Sequence, residues 1–219
     1  MTFTIVTVSL LAATVTLAEW PADSFQRPES EQAGQTEKGD YTWVEVAEKD
    51  SKAVRIAENL LWLDYVAGAS LGDGGSTEAC ANLDRFTAAD VDIRVKVSAW
   101  YGDDVRVCGV SYRLDSVQGG FDAPGYHALL NQYCVRLTFG TNIVAEAKGS
   151  FPPKEVHDLR VVAEGRRHKI FVDGKLCLEA SDGAKTRAGY VGLAQYYEQA
   201  KFDDFSVSAP SVDDVKKKN

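Results

Sequence analysis

The sequence is short of positive charge. Its 24 lysines and arginines stand against 32 aspartates and glutamates, which gives a net charge of −8. A surface that binds duplex nucleic acid needs a basic stripe to displace counterions. The one dense basic run, Lys216 to Lys218, lies in a charged tail at 209–219 and is typical of a solvated end. The composition therefore argues against a nucleic-acid partner.

Residue patterns that build catalytic and metal sites are also scarce. The three histidines, His127, His157 and His168, do not have a metal-ligand spacing. No two cysteines have the C-x-x-C spacing of a zinc or redox site. These absences favour a binding protein over an enzyme.

Charge is missing altogether from residues 1–18, which end in Thr16-Leu17-Ala18. Small residues stand at the two positions that a signal peptidase reads. A buried first strand is the alternative, because Thr4-Ile5-Val6-Thr7-Val8 has high β propensity. The apolar run is longer than a usual strand and lacks alternation, so we expect a signal peptide at 1–18 and a secreted or extracytoplasmic protein, in the periplasm or at the cell surface. No later segment is long and apolar enough to span a membrane.

The four cysteines form an even set, which in an exported protein fits disulfides; buried free thiols are the alternative. Cys108 and Cys134 lie on predicted strands that flank the turn at 115–125. If these strands pair, the two thiols face the same side, so Cys108 and Cys134 are the disulfide candidates. Cys80 and Cys177 form the remaining, less supported pair.

From Tyr41 onward the chain reads as short strands separated by turn signals. The segment Val91-Asp92-Ile93-Arg94-Val95-Lys96-Val97 alternates between apolar and polar residues, which is typical of a strand with one buried face. Asp173-Gly174 predicts a tight hairpin, because both residues tolerate a positive φ. About a dozen such strands without an amphipathic helix predict one all-β domain over 19–208, a two-sheet antiparallel sandwich.

Four segments of the second half occur in a characteristic order: 157–165, 169–175 with Val172-Asp173-Gly174, 189–194 with Gly-Tyr-Val-Gly-Leu-Ala, and 201–207 with Phe-Asp-Asp-Phe-Ser-Val. This succession resembles the concanavalin A-like lectin/glucanase superfamily, including its laminin-G-like members. Asp23-Ser24-Phe25-Gln26-Arg27-Pro28 looks like the opening strand of such secreted domains. The resemblance implies a jelly-roll fold. The residues themselves predict a bulge at Asp203-Asp204 and close backbone approach at Gly189 and Gly192.

The resemblance implies three functions. The first is a secreted carbohydrate-binding or cell-surface recognition module, a lectin-like protein whose partner is a glycan or cell-surface polysaccharide. The second is a divergent glycoside hydrolase, similar to the 3-keto-disaccharide hydrolases. The third is a laminin-G-type adhesion domain with a protein partner. The E-x-D-x-x-E pattern of superfamily glycanases is absent, since Asp90-Val91-Asp92 continues into Ile93-Arg94, so no catalytic residue is assigned.

Sugars are held by aromatic rings and by planar polar groups that bond their hydroxyls. We therefore expect a glycan site on the free face of one sheet and its rim loops. Trp100 with Arg136 is the best pair. The full set of predicted ligand-binding residues is Trp100, Tyr101, Tyr112, Arg113, Tyr126, Arg136 and Tyr196.

Calcium is the one cofactor that the sequence leaves open. Asp23, Asp203 and Asp204 lie in the first and last strands, which neighbour each other in this fold. Their carboxylates are the oxygen ligands that a hard cation requires. The alternative is that these aspartates only satisfy the strand ends and the bulge.

Overall fold

The computed structural model describes residues 20–47, 54–63, 78–99, 107–196 and 199–210. Within these ranges the chain contains strands and turns, and no helix there is long and apolar enough to cross a membrane. The strands in chain order are β1 (Ala22–Asp23), β2 (Trp43–Ala47), β3 (Val54–Ala57), β4 (Leu60–Leu63), β5 (Glu78–Ala88), β6 (Val91–Ala99), β7 (Val107–Leu114), β8 (Tyr126–Leu130), β9 (Cys134–Phe139), β10 (Asn142–Lys148), β11 (His157–Glu164), β12 (Arg167–Val172), β13 (Lys175–Ser181), β14 (Gly189–Tyr196) and β15 (Ala200–Ser208).

The strands form two antiparallel sheets. The eight-stranded sheet has the order β13-β12-β11-β6-β15-β4-β3, with β1 also paired to β15. The seven-stranded sheet has the order β10-β9-β8-β7-β14-β5-β2. Neighbours in each sheet are often distant in sequence, as with the central pairs of β15 with β6 and of β14 with β5 and β7. The predicted two-sheet antiparallel sandwich is confirmed.

The core lies between the sheets and follows the period of two. In β6 every second residue from Val91 to Ala99 belongs to the core, and the residues between them lie on the other face. In β14, Val191 and Leu193 are fully buried against the same core. Burying a side chain of this size stabilises the fold by about 1.5–3 kcal/mol. Alternation is therefore the signal that assigns each residue to the core or to an outer face.

Turn and bulge predictions agree with the structure. Asp173 and Gly174 have φ values of 52° and 75° between β12 and β13, as a tight hairpin requires. Asp204 has a φ of 48°, and the pairing of β15 with β6 shifts register between Asp203 and Ser206. The predicted bulge at Asp203-Asp204 is confirmed. A Cβ on Gly192 would lie 2.0 Å from Asn82 Oδ1, so the predicted close approach there is confirmed too.

The long segment from Tyr126 to Phe139 divides into two strands. Asn131 makes the turn between them, since its side-chain oxygen accepts hydrogen bonds from the backbone N–H groups of Tyr133 and Cys134, both at 2.8 Å. This Asx turn contains neither glycine nor proline, so it gives a weak signal in the sequence. Because the chain reverses at this turn, β9 pairs with β8, and β8 lies between β7 and β9 in the sheet.

Candidate functional site

The outer face of the seven-stranded sheet, which points away from the core, carries a depression. A cross-strand row on this face runs from Cys80 through Ala194, Gly109 and Leu129 to Arg136. The first part of this row is covered, because Cys80, Ala194 and Leu129 form a buried cluster with Phe121. The depression lies toward the other end of the row, where Leu129 and Arg136 line it.

This depression has a volume of about 360 Å³. Ligand pockets in proteins usually measure about 300–1,000 Å³ and combine apolar walls with a few polar groups. Its lining combines aromatic, aliphatic, hydroxyl and charged side chains: Glu78, Val107, Phe121, Asp122, Leu129, Arg136, Thr138, Thr141, Ile143 and Tyr196.

One wall of the depression comes from the β7–β8 loop, residues 115–125, which folds over the outer face. Asn82 on β5 holds the loop, because its Nδ2 donates to the carbonyls of Val117 and Gly119, each at 2.9 Å. Glu78 Oε2 accepts a hydrogen bond from the Phe121 N–H at 3.0 Å. These bonds fix the loop to a strand that lies two positions away in the sheet, and so they fix Phe121 in the wall.

Three rings form a stack at this wall. The Phe121 ring lies 4.7 Å from the His127 ring at an interplanar angle of 5°, and 5.2 Å from the Tyr196 ring at 29°. His127 is fully buried, and its Nδ1 lies 2.8 Å from Ser111 Oγ. Burial lowers the pKa of His127 to about 4, although the Phe121 backbone offsets part of the effect. The stack therefore presents a neutral, largely apolar surface, with Tyr196 as its half-buried end.

Arg136 supplies the planar polar group on the opposite side. Its Nε donates to Glu146 Oε2 at 2.7 Å, and the two residues are direct partners on β9 and β10. The ion pair orients the guanidinium, a planar group of the kind that hydrogen-bonds sugar hydroxyls. The depression thus has an aromatic wall and a hydrogen-bonding wall.

Three polar atoms near the depression have no hydrogen-bond partner in the described part of the chain. They are Thr138 Oγ1 on β9, His127 Nε2 on β8 and Asn82 Oδ1 on β5. All three side chains are buried, with Thr138 at 4% exposure and lining the depression. A buried hydroxyl without a partner is unusual and calls for a physical explanation.

A second depression, of about 470 Å³, lies on the outer face of the eight-stranded sheet. Its charged groups are already paired within the sheet. Arg160 makes two bonds to Asp92 at 2.9 and 2.7 Å, and Lys96 Nζ lies 2.6 Å from Asp204 Oδ2. Phe171 is the aromatic residue in its described lining, and the Arg160 guanidinium lies over that ring at 5.2 Å, so the first depression, with its ring stack, is the better candidate for a sugar.

Arg136 and Tyr196, two of the predicted ligand-binding residues, lie in the wall of the first depression. Trp100 and Tyr101 fall outside the described residues. Three further lining residues, Phe121, Glu78 and Thr138, are not predicted from the sequence. Phe121 follows two glycines in a loop, and nothing in that pattern indicates which strand the loop contacts.

The other three predicted contacts are wrong, because the side chains of Tyr112, Arg113 and Tyr126 are each 0% exposed. The two tyrosine rings stack at 5.5 Å between the sheets. Arg113 has a φ of 54° and donates to the carbonyls of Ala89 at 2.5 Å and Lys185 at 2.8 Å. It therefore links two turns inside the fold and cannot reach a surface ligand.

The predicted disulfide between Cys108 and Cys134 is wrong, since both thiols are free, as are those of Cys80 and Cys177. The strands that carry Cys108 and Cys134 do not pair. Cys108 lies opposite Leu130 of β8, and β9 begins on the far side of β8. Two strand spacings amount to about 10 Å, which exceeds the limit of about 7 Å for a disulfide.

The predicted calcium site is also not formed. Asp23 is buried and already bonded to Arg27 Nη1 at 2.6 Å, Trp43 Nε1 at 2.8 Å and the Phe25 N–H at 2.9 Å. Asp204 pairs with Lys96 at the surface. In the described ranges, no three acidic, histidine or cysteine residues converge as metal ligands. The aspartates satisfy the strand ends and the bulge, which was the alternative.

No family model matches the sequence, and no curated protein matches it significantly. Solved structures are similar in fold. The carbohydrate binding module CBM66 from Bacillus subtilis aligns with a TM-score of 0.53 at 20% identity, over 60% of this chain and 82% of that chain. The potassium-bound Emp46p carbohydrate recognition domain aligns with a TM-score of 0.57 at 11% identity, over 78% and 89%. The Bacteroides ovatus xyloglucan PUL GH43B aligns with a TM-score of 0.58 at 17% identity, over 91% of this chain and 41% of that chain.

Proposed function

We propose that this chain, which has the concanavalin A-like jelly-roll fold, is a carbohydrate-binding module whose ligand occupies the depression on the outer face of the seven-stranded sheet. The observation that carries the proposal is that the Phe121–Tyr196 ring pair and Arg136, which Glu146 orients, line the same depression.

The two walls match the two kinds of surface on a sugar. The C–H face of a pyranose or furanose ring packs against an aromatic ring, and Tyr196 offers a half-buried ring backed by Phe121. Sugar hydroxyls need fixed donors and acceptors, which Arg136 and Glu146 supply as an already oriented pair. An oriented pair binds better than two free side chains, because less conformational entropy is lost on binding.

The similar structures support this proposal at the level of fold. Their titles name a carbohydrate binding module and a carbohydrate recognition domain. Function within one fold resides in the site rather than in the topology, so the argument for this chain rests on its own residues. We further propose that the protein acts outside the cytoplasm, with a cell-surface or extracellular polysaccharide as ligand.

A glycoside hydrolase is the second candidate, because Glu78 and Asp122 bring two carboxyl groups to the same depression. Glycoside hydrolysis requires such a pair, one as acid and one as nucleophile or base. Glu78 already accepts the Phe121 N–H, a structural role that favours the binding function.

A glycan array probed with the purified protein tests the proposal. Binding to one class of glycan, with micromolar or tighter affinity confirmed by calorimetry, is the expected result. Overnight incubation of each bound glycan followed by product analysis separates the two candidates. Glycan release that disappears in both Glu78→Gln and Asp122→Asn would favour the hydrolase, whereas no binding to any glycan would refute both.

A further inference from the structure

We infer that the depression takes an uncharged sugar residue and that Thr138 hydrogen-bonds one of its hydroxyls. The inference rests on the proposed function and names the ligand class of the same site. It follows from two separate observations, the charge around the depression and the unpartnered threonine.

The charge around the depression is negative. Glu78 and Asp122 line it, and Glu146 is bonded to Arg136. Among the described residues that line it, Arg136 is the one cation. The lining therefore holds two carboxylates and one guanidinium, and the guanidinium is already paired with the carboxylate of Glu146. An acidic sugar, such as a uronate, sialic acid or a sulfated sugar, would therefore be repelled by the carboxylates of the lining. The net charge of −8 of the whole chain adds to this repulsion.

Thr138 carries a hydroxyl that the fold leaves without a partner. Its side chain is 4% exposed, and Oγ1 makes no hydrogen bond within the described residues. Its direct partner across the strands is His127, whose Nδ1 lies beside Ser111 Oγ and whose Nε2 likewise makes no hydrogen bond within the described residues. A buried hydroxyl that lost its water and gained no partner destabilises the free protein. A ligand hydroxyl remedies this, because each hydroxyl can donate and accept.

The position of Thr138 suits this role. It lies two residues after Arg136 on the same face of β9, about 7 Å along the strand. Rotation about χ1 exchanges its methyl and hydroxyl positions, so Oγ1 can turn toward the depression without a backbone change. Arg136 and Thr138 can therefore present hydrogen-bonding groups to the same ligand.

Thr138→Val is the decisive variant, because it replaces the hydroxyl with a methyl group of similar size. We expect its affinity for the best array glycan to fall about tenfold, the effect of one lost hydrogen bond. Thr138→Ser keeps the hydroxyl and is expected to retain most of the affinity. Thr87→Val is the matched control, since Thr87 is exposed on β5 of the same sheet and lies outside the lining of the depression; it is expected to bind like the wild type.

Thermal unfolding without ligand gives an independent readout. Because the Thr138 hydroxyl has no partner, Thr138→Val is expected to unfold at the wild-type temperature or above it. A clear drop would mean that the hydroxyl is bonded within the protein, which would overturn its role as a ligand group. Wild-type affinity of Thr138→Val would overturn it as well.

The glycan array also tests separately whether the ligand is uncharged. Stronger binding of acidic than of matched neutral glycans on the array would overturn the inference while leaving carbohydrate binding intact. Absence of binding to every glycan would instead refute the proposed function itself. Preference for neutral glycans, together with the loss in Thr138→Val, is the result that we expect.

Discussion

The hydroxyl of Tyr112 lies 2.8 Å from Nδ1 of His168, inside the sandwich. Tyr112 belongs to β7 and His168 to β12, so this contact joins the two sheets. Both side chains are 0% exposed, and the His168 ring also lies 4.4 Å from the Tyr126 ring. Burial, together with the charge of nearby Arg113, lowers the pKa of His168 to about 4. The core is therefore built around a neutral imidazole.

Protonation of His168 and His127 is expected to destabilise the fold in acid. Each histidine has a folded-state pKa of about 4 and an unfolded-state value of about 6.5. Between these pH values the unfolded chain binds more protons than the folded protein. The free energy of unfolding therefore has its highest value above about pH 6.5 and decreases as the pH falls toward about 4. The loss is about 1.4 kcal/mol per pH unit for each histidine. Urea unfolding across this range measures it.

The variants His168→Gln and His127→Gln remove one titrating group each. Each should flatten the dependence of unfolding free energy on pH between about 4.5 and 6.5, in addition to any loss at neutral pH. An unchanged slope in both variants would show that these histidines are not held neutral by the fold.

Asp23 is expected to be a stability residue rather than a metal ligand. Asp23→Ala removes the acceptor for the Arg27 guanidinium and the Trp43 indole N–H. Breaking such a buried charged network costs about 3–5 kcal/mol, measured by denaturant unfolding. Asp204→Ala is the matched control. Its pair with Lys96 is half exposed and screened, so it should lose far less. Equal losses, or a calcium-dependent Tm in the wild type, would contradict this assignment.

The four cysteines are expected to react as free thiols of unequal accessibility. Cys80, Cys108 and Cys134 are buried, whereas Cys177 is half-buried on β13, and burial raises the pKa of the Cys80 thiol. Titration with a thiol reagent should detect one fast thiol in the native protein. All four should react after denaturation without reductant. Cys177→Ser should abolish the fast phase, and a shortfall of two thiols in the denatured protein would indicate a disulfide.

Export remains a prediction of the uncharged start of the sequence. Expression of the full chain in a secreting host should yield a mature protein that begins near Glu19, as intact-mass measurement would show. Recovery of only the full-length mass from the cytoplasm would contradict it.

Local signals in the sequence predicted the parts of the fold that depend on neighbouring residues. The alternation of β6 set its buried face, Asp173-Gly174 set a hairpin, and the spacing of Phe202 and Phe205 revealed the bulge between them. Alternation around Arg136, with Val135 and Leu137 in the core, also placed that arginine on an outer face.

The rest of the site depends on pairing between distant strands. Phe121 and Tyr196 are far apart in sequence and meet only because β14 pairs with both β7 and β5. Tyr112 and Tyr126 carry the same residue type as Tyr196, yet they face the core, and their strands give no alternation signal because β7 and β8 are buried on both faces. Arg113 departs from its expected position because its positive φ interrupts the alternation.

Calorimetry of site variants against the best array glycan tests the central claim most directly. Tyr196→Ala and Arg136→Ala are each expected to weaken binding by about 1–3 kcal/mol, the usual effect of losing a stacked ring or a charged hydrogen-bond donor. Tyr133→Ala and Arg94→Ala are the matched controls, because Tyr133 is 50% exposed in the turn after β8 and Arg94 lies on the opposite sheet. Circular dichroism verifies the fold of all four. We expect weaker glycan binding in Tyr196→Ala and Arg136→Ala, and wild-type affinity in the two controls. Unchanged affinity in both Tyr196→Ala and Arg136→Ala would show that the glycan does not bind in this depression.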